Sequence, residues 1–201
     1  MTESGKRVRQ GLLYRGGKLD DVTETGIKQI TAALDIRTDL DLRGSEETGA
    51  IVSPLGPDVQ FFNISCPRYI GGDYGINLSD NWPNLLEIIR VFADENNYPI
   101  YFHCSLGRDR TGTVAFLINA LLGVSREDLT RDYELSFLSE GGCSDGSRSQ
   151  NMLPNLDNIY NYIMSYGDGE TLSAHTESFL LGIGMTQTEI NNIRSIMLEE
   201  G

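Results

Sequence analysis

One short stretch of the chain holds a histidine, a cysteine and an arginine at close spacing. Residues 103–112 read His-Cys-Ser-Leu-Gly-Arg-Asp-Arg-Thr-Gly, so that five residues separate Cys104 from Arg110. A cysteine thiolate is a strong nucleophile, and an arginine guanidinium can donate to two oxygens of one phosphate or carboxylate. These residue types at this spacing indicate nucleophilic attack on a bound oxyanion.

The sequence on either side of this stretch predicts a strand before it and a helix after it. Residues 99–102 form a short apolar run of strand-forming types, and residues 113–122 are apolar nearly all round. A loop that enters the N-terminus of a helix points its backbone N–H groups into one concavity, where the helix dipole adds positive potential. The pattern therefore predicts a phosphate-binding loop made by Ser105, Leu106, Gly107, Arg108, Asp109 and Arg110.

Five residues of this stretch receive distinct chemical roles. Cys104 is the predicted nucleophile, because loop N–H groups and a nearby arginine lower the pKa of its thiol below the usual value of about 8.5. Arg110 is the predicted clamp on the phosphoryl oxygens, and Gly107 leaves room for the anion because it has no Cβ. The hydroxyl of Thr111 can donate a hydrogen bond to the departing thiolate, while His103 orients the loop and adjusts the reactivity of Cys104.

The loop resembles that of the cysteine-dependent phosphatase superfamily, in which His-Cys, two residues, Gly, two residues, Arg, Ser or Thr, and Gly follow in order. It is similar to a bacterial branch of tyrosine and lipid phosphatases, whose loop usually reads HCxxGKDRTG where this chain has HCSLGRDRTG. Arg108 departs from the usual Lys of that branch, which keeps the charge but changes its shape and weakens the case for a phosphoinositide substrate. Four further segments also resemble the branch, and they are 13–17, 41–47, 132–136 and 184–198.

This resemblance implies a central sheet flanked by helices, together with a phosphatase activity. It implies hydrolysis of phosphate monoesters through a phosphocysteine intermediate, with no metal and no other cofactor. The substrates that it implies are proteins phosphorylated on tyrosine, and also on serine or threonine, or small phosphate monoesters including phosphoinositides.

Two other uses of a cysteine in an anion-binding loop remain open. A sulfurtransferase or an arsenate reductase also has such a loop, but neither needs the Arg-Thr-Gly continuation into the helix. A module that binds a phosphorylated ligand without turnover is the second alternative, and the presence of Cys104, Arg110 and an aspartate in one loop argues against it.

Protonation of the leaving group requires a carboxyl group close to the ester oxygen, and three aspartates are candidates. Asp109 lies in the loop itself, and its counterpart is a suspected acid in the branch that the chain resembles. Asp73 and Asp80 are the alternatives, because they lie in a stretch with Gly and Asn, 71–81, that is suited to a flap. The sequence Trp-Pro-Asn at 82–84 offers no acid at its third position and instead predicts the start of a helix.

Several other charged residues receive minor roles. Arg43 and Glu46 are expected to form a structural pair near the loop. Arg15 and Arg68 are candidates for extending the positive potential at the rim, although surface arginines are usually just solvated. His175 receives no role, because it is alone on a predicted surface helix.

The elements that must position the loop alternate between strand and helix patterns, which predicts a single α/β domain over 11–201 with a mostly parallel central sheet flanked by helices. The predicted strands are 11–15, 36–42, 59–64 and 99–102. The predicted helices are 25–34, 83–95, 113–122, a segment opening at 125, 156–166, 171–181 and a segment opening at 186, so the C-terminal third is helical. Residues 1–10 are expected to be flexible, and 140–151 to be a mobile loop.

Composition and charge limit where the protein works and what it binds. The chain of 201 residues has 29 acidic and 16 basic side chains, and its net charge of -13 disfavours nucleic acid as a partner. No apolar run approaches the roughly 20 residues that cross a membrane, so integral membrane association is not expected. The polar N-terminus does not resemble a signal peptide, which favours a cytoplasmic location. Cys66 and Cys143 are expected to be ordinary thiols in a reducing compartment.

Overall fold

A four-stranded parallel sheet lies at the centre of the protein, in a computed structural model that describes residues 2–49, 52–71, 73, 75–138 and 146–201. Its strands are β2 (Leu13–Gly16), β3 (Thr38–Asp41), β4 (Gln60–Asn63) and β5 (Ile100–His103), in the spatial order β2-β5-β3-β4. Every neighbouring pair is parallel, which confirms the four predicted strands and the predicted parallel sheet.

The register of the sheet brings the carboxyl ends of the strands to one edge. His103, the last residue of β5, lies opposite Gly16 of β2 on one side and Asp41 of β3 on the other. The loop that follows His103 therefore leaves the middle of this edge, where parallel α/β sheets usually bind their ligands.

A second, two-stranded sheet joins the chain ends that the structure describes. β1 (Arg7–Val8) pairs antiparallel with β6 (Leu198–Glu199), and the side chain of Thr2 is buried. The backbone N–H of Glu3 also donates to the carbonyl of Gly123 at 2.7 Å. The structure thus differs from the prediction of a flexible segment over 1–10, because strand pairing and burial hold residues in this segment against the rest of the protein.

Eight α-helices are present in the described part of the chain, and the seven predicted helices are confirmed among them. Their bounds are α1 (Glu24–Leu34), α2 (Ser45–Thr48), α3 (Trp82–Val91), α4 (Asp109–Leu121), α5 (Arg126–Glu134), α6 (Gly146–Ile163), α7 (Leu172–Gly182) and α8 (Gln187–Met197). Pro83 lies in the first turn of α3, as the Trp-Pro-Asn sequence predicted. The predicted mobile loop over 140–151 is wrong from residue 146 onwards, where α6 begins, and its earlier part, with Cys143, lies outside the described residues.

Side chains at the helix N-termini explain why several of these helices begin where they do. The hydroxyls of Thr23, Ser125, Thr171 and Thr186 each accept a hydrogen bond from a backbone N–H in the first turn of their helix. Thr186 and Glu189 form a reciprocal capping box at the start of α8. These hydroxyls satisfy N–H groups that have no partner within the helix.

The two faces of the sheet pack against different helices. Leu40 and Phe102 lie in the main core with α3, α4, α5 and the C-terminal helices, whereas Tyr14 and Tyr101 point to the opposite face and pack near Leu19 beside α1. This alternation follows from the two-residue period of a strand. α4 is buried along almost its whole length, so the helix that follows the loop is held in place by the main core.

The C-terminal helices cover this core, and they bury one residue that the sequence placed at the surface. His175 lies on α7 with a nearly buried ring whose Nδ1 contacts the carbonyl of Tyr166. The prediction of a surface position is wrong because His175 belongs to the buried side of α7, together with Leu172, Thr176, Phe179 and Leu180. None of the helices in the described residues has the length and the apolar composition needed to cross a membrane.

We expect the stability of the protein to depend on the packing of α4. Leu117 on α4 is 0% exposed, and Leu117→Ala should lower the free energy of unfolding by about 2–5 kcal/mol, because it leaves a cavity in the core. Leu181 on α7 is 40% exposed, and Leu181→Ala should cost less than about 1 kcal/mol. Urea unfolding measures both, and equal losses in the two variants would contradict this view of the core.

Candidate active site

The loop between β5 and α4, residues 104–108, is held against the end of β2. Gly107 has a φ of 69°, and a Cβ at this position would lie 2.3 Å from the carbonyl oxygen of Gly16. The backbone N–H of Lys18 donates to the carbonyl of Ser105 at 3.3 Å. A side chain at position 107 would force the two segments apart, so glycine is required there both by conformation and by space.

Cys104 is the first residue of this loop and follows β5 directly. It is only 3% exposed, and burial alone opposes ionisation of the thiol. The hydroxyl and backbone N–H of Thr111, the backbone N–H of Leu106 and the guanidinium of Arg110 outweigh this effect and lower the pKa of Cys104. The structure therefore places Thr111 close to Cys104, and the predicted role of its hydroxyl in the reaction stays a prediction.

Arg110 lies in the first turn of α4 and is fixed by the carboxylate of Glu47, a residue of the segment 41–47 whose role the sequence did not indicate. Its Nη2 donates to Glu47 Oε1 at 2.9 Å and to the hydroxyl of Ser105 at 3.3 Å, and its Nη1 donates to Glu47 Oε2. The backbone N–H of Gly44 donates to the same carboxylate at 2.9 Å. The bond from Arg110 lowers the pKa of Glu47 to about 2, so this carboxylate stays charged and orients the guanidinium.

The expected pair of Arg43 and Glu46 does not form. Arg43 is buried and donates instead to Asp41, with Nη2 2.7 Å from Oδ2, and to Asp20, with Nη1 2.7 Å from Oδ2. Glu46 is exposed, because the short helix α2 turns Glu47 towards the loop and Glu46 away from Arg43. The segment after β3 thus contributes two different contacts, a buried ion pair through Arg43 and the carboxylate that holds Arg110.

His103 lies beneath the loop in a buried polar cluster. Its Nε2 is 3.1 Å from Asp39 Oδ1, its Nδ1 is 3.9 Å from Asp41 Oδ1, and its Nδ1 is 3.3 Å from the carbonyl of Cys104. The hydroxyl of Ser53 donates to the other oxygen of Asp39 at 2.7 Å. Burial opposes protonation of the imidazole, but the two carboxylates outweigh it and raise the pKa of His103. A positive charge on His103 would lie next to the backbone of the nucleophile.

The three candidate acids occupy different places. Asp109 begins α4 and accepts from its neighbour Arg108, whose Nε is 3.1 Å from Oδ1 and whose Nη2 is 3.0 Å from Oδ2. Asp73 and Asp80 are exposed, and Asp80 lies in a single 3₁₀ turn over Ser79–Asn81. Asp109 therefore directly follows the loop that holds Cys104, whereas Asp73 and Asp80 lie on a different segment of the chain.

The two arginines that are candidates for the rim, Arg15 and Arg68, lie in different surroundings. Arg15 points to α5, where Nη1 is 3.2 Å from Asp132 Oδ2 and Nη2 donates to the carbonyl of Asp132 at 2.6 Å, so it is committed to a structural contact. Arg68 is exposed and lines a cleft beside Arg110. Of the two, only Arg68 stands where it can contribute to the potential around the loop.

Comparison with known proteins fits this geometry. A family model described as the tyrosine phosphatase family matches residues 1–199. The chain belongs to this family. A tyrosine-protein phosphatase of Nostoc commune is 27% identical over 137 residues, which cover 60% of this chain and 45% of that protein. A relative from Cupriavidus necator, assigned to the tyrosine-protein phosphatases, is 26% identical over 153 residues, which cover 64% of this chain and 54% of that protein. The chain thus spans about half the length of these two relatives.

Two solved structures align with the chain at low identity. The core catalytic domain of the PP-IP phosphatase SIW14 from S. cerevisiae, in complex with citrate, has a TM-score of 0.46 and 16% identity, and the match covers 79% of this chain and 93% of that chain. A structure of the Siw14 catalytic core has a TM-score of 0.48 and 14% identity, over 87% of this chain and 95% of that chain. Because both TM-scores are below 0.5, the fold is described from the sheet and helices of this protein alone.

The electrostatics of the two described cysteines predict a difference in reactivity. The donors around Cys104 lower the pKa of its thiol, whereas burial, together with the negative charge on Cys104, raises the pKa of Cys66. Iodoacetamide should therefore modify Cys104 at least about tenfold faster than Cys66 at neutral pH, and the rate at Cys104 should fall as the pH drops through its lowered pKa. Peptide mapping by mass spectrometry measures both rates.

Two controls make this alkylation experiment specific. Vanadate, which mimics a phosphoryl group, should protect Cys104, and in denaturant the two cysteines should react at similar rates. Equal rates in the folded protein, or a rate at Cys104 that requires alkaline pH, would show that the loop does not stabilise the thiolate.

Proposed function

We propose that this protein hydrolyses phosphate monoesters through a covalent phosphocysteine on Cys104. The observation that carries the proposal is a thiol of lowered pKa inside a loop that also contains an oriented arginine, Arg110. Membership of the tyrosine phosphatase family supports the same reaction. We propose single-domain organisation over 11–201 for this activity, and a cytoplasmic location.

The reaction begins when the phosphoryl group of the substrate binds over Cys104. The N–H groups of the loop and the guanidinium of Arg110 bind the non-bridging oxygens and stabilise the charge that they carry in the transition state. The contacts to Glu47 use one N–H of Nη1 and one of Nη2. The Nε–H and the other Nη2–H, which now contacts Ser105 at 3.3 Å, share one edge of the guanidinium, and this edge binds two phosphoryl oxygens when the substrate takes the place of Ser105.

Two displacements then complete the turnover. In the first, the sulfur of Cys104 bonds to phosphorus as the ester P–O bond breaks, and the leaving oxygen takes a proton from Asp109. In the second, water attacks phosphorus, Asp109 takes a proton from that water, and the P–S bond breaks to release phosphate. Thr111 donates to the departing thiolate in this second step.

The proposed substrates are phosphate monoesters of more than one kind. We propose activity on phosphotyrosine and on phosphoserine or phosphothreonine, as well as on small phosphate monoesters, with no metal or other cofactor required. The contact with Arg108 orients the carboxylate of Asp109 at the start of α4, directly after the loop, and this position supports the proposed role of Asp109 in proton transfer.

The nucleophile and the clamp are tested by two substitutions. With p-nitrophenyl phosphate as substrate, Cys104→Ser should abolish turnover, because a serine hydroxyl is not ionised at neutral pH. Arg110→Lys should lower kcat at least about a hundredfold, because a point charge cannot donate to two oxygens at once. Arg131→Lys, on the exposed face of α5, is the matched control and should keep full activity. Folded Cys104→Ser with substantial activity would refute the proposed mechanism.

The role of Asp109 is tested by the dependence on the leaving group. Asp109→Asn should slow hydrolysis of an alkyl phosphate or phosphoserine far more than that of an aryl phosphate with a good leaving group, because only a poor leaving group needs the proton. Steady-state kinetics on both substrates measure the ratio. Asp73→Asn and Asp80→Asn serve as comparisons and should leave the ratio unchanged. A uniform loss in Asp109→Asn would reassign this residue to shaping the loop.

A further inference from the structure

The segment after β4, residues 65–69, presents one charged side chain to the candidate active site. Cys66 and Tyr69 are buried, whereas Arg68 between them is exposed. The thiol of Cys66 contacts the carbonyl of Pro67 at 2.9 Å and lies 3.9 Å from the carbonyl of Arg110. The backbone on this side of Arg68 is thus fixed against the start of α4.

Tyr69 fixes the backbone on the other side of Arg68. Its N–H donates to the hydroxyl of Thr113 at 3.0 Å, and its own hydroxyl donates to the carbonyl of Arg108 at 3.2 Å and lies 2.6 Å from the hydroxyl of Tyr133. The φ of Tyr69 is 41°, a conformation that residues with a Cβ rarely adopt. Strained backbone of this kind persists only where its surroundings hold it, and it is concentrated at functional sites.

The cleft that Arg68 faces has a distinctive composition. It has a volume of about 310 Å³, and every residue that lines it is polar or small; they are Gly44, Glu46, Glu47, Ser65, Cys66, Arg68 and Arg110. No aromatic ring lines it among the described residues. A pocket that grips an aromatic ring normally does so with apolar and aromatic walls. This cleft is instead suited to a compact, polar molecule.

The charged side chains that line the cleft indicate which part of a bound molecule carries negative charge. Glu47 is already paired with Arg110, and Glu46 is the remaining acid. Arg68 makes no ion pair with any residue that the structure describes, so its guanidinium is available to a ligand beside the loop. An exposed arginine fixed at both flanks loses less freedom on binding than one on a mobile loop, and its fork matches a phosphate.

We infer that Arg68 binds a second phosphate group of the substrate, so that the preferred substrates are compact molecules carrying two phosphate groups close together. The inference rests on the proposed function, since the first of these phosphates is the one that Cys104 attacks. Arg68 then determines specificity and has no part in bond breaking.

Kinetics on two substrates test the role of Arg68. The substrates are an inositol bisphosphate with phosphates on adjacent ring carbons and the matching monophosphate, and p-nitrophenyl phosphate serves as a third. The wild type should favour the bisphosphate by at least about tenfold in kcat/KM, because a charge-assisted hydrogen bond is worth about this much. Arg68→Ala should remove this preference through a raised KM, while its activity on p-nitrophenyl phosphate stays within about twofold of wild type. Arg68→Lys should keep part of the preference.

The outcomes separate the role of Arg68 from a general effect on the fold or on the reaction. Arg131→Ala, on α5, removes another exposed arginine and should leave the preference intact. An equal loss on all three substrates in Arg68→Ala, or a wild type that does not distinguish the two inositol phosphates, would overturn the inference.

A binding measurement keeps the inference distinct from the proposed reaction. In the Cys104→Ser background, calorimetry should show at least about tenfold tighter binding of the bisphosphate than of the monophosphate, and Arg68→Ala should remove the difference. If the wild type turns over no substrate but this difference is found, the proposed function fails and the second phosphate site stands. If turnover is found without the difference, the site fails and the function stands.

A further arm distinguishes a free ligand from a lipid headgroup. The same bisphosphate headgroup is presented on phosphatidylinositol in neutral vesicles. The headgroups give the otherwise neutral vesicle an array of negative charges, which the net charge of -13 disfavours, so we expect the free bisphosphate to be hydrolysed faster. A vesicle substrate that is hydrolysed faster than the free one would overturn the assignment to a free ligand.

Discussion

One constraint shapes the candidate site, which is that a buried thiol, Cys104, is surrounded by groups that lower its pKa. Burial of Cys104 works against the thiolate, and the loop compensates with donors from Leu106 and Thr111 and with the charge of Arg110. All three are positioned because the loop runs from the central strand β5 directly into α4, a helix that is buried along nearly its whole length. In the proposed reaction, the N–H groups that stabilise the sulfur also bind the phosphoryl group, so the same loop would activate the nucleophile and hold its target.

A second layer beneath the loop fixes this arrangement. His103 lies between Asp39 and Asp41 at the carboxyl end of the sheet, and Asp41 in turn is bonded to the buried Arg43. Buried charges of this kind are tolerated only when each has a partner, and here the partners come from adjacent strands in register. The ion pairs therefore stabilise the strand ends in the one alignment that brings Cys104, Glu47 and Arg110 together.

Much of the fold and of the loop could be predicted from the sequence, because both depend on local patterns. The strand before Cys104 and the helix after it follow from apolar runs, and the roles of Cys104 and Arg110 were proposed from residue type and spacing. The roles of Glu47 and Asp39 could not be predicted, because they come from contacts 63 and 64 positions away, with Arg110 and His103. The expected pair of Arg43 and Glu46 does not form because Arg43 is bonded to Asp41, two residues before it, and to Asp20, 23 positions away. Pairing of β1 with β6, which are far apart in the sequence, likewise cannot be predicted from a local pattern.

The central claim is that Cys104 carries the phosphoryl group during turnover, and trapping that species tests it most directly. Substrate labelled in the phosphoryl group is mixed with the enzyme, the reaction is stopped within its first turnover, and tandem mass spectrometry locates the label. The account predicts one phosphoryl group per chain, bound to the sulfur of Cys104, appearing and decaying at rates that match turnover. Label on a different residue, or turnover at the full rate with no labelled protein at any time, would contradict it.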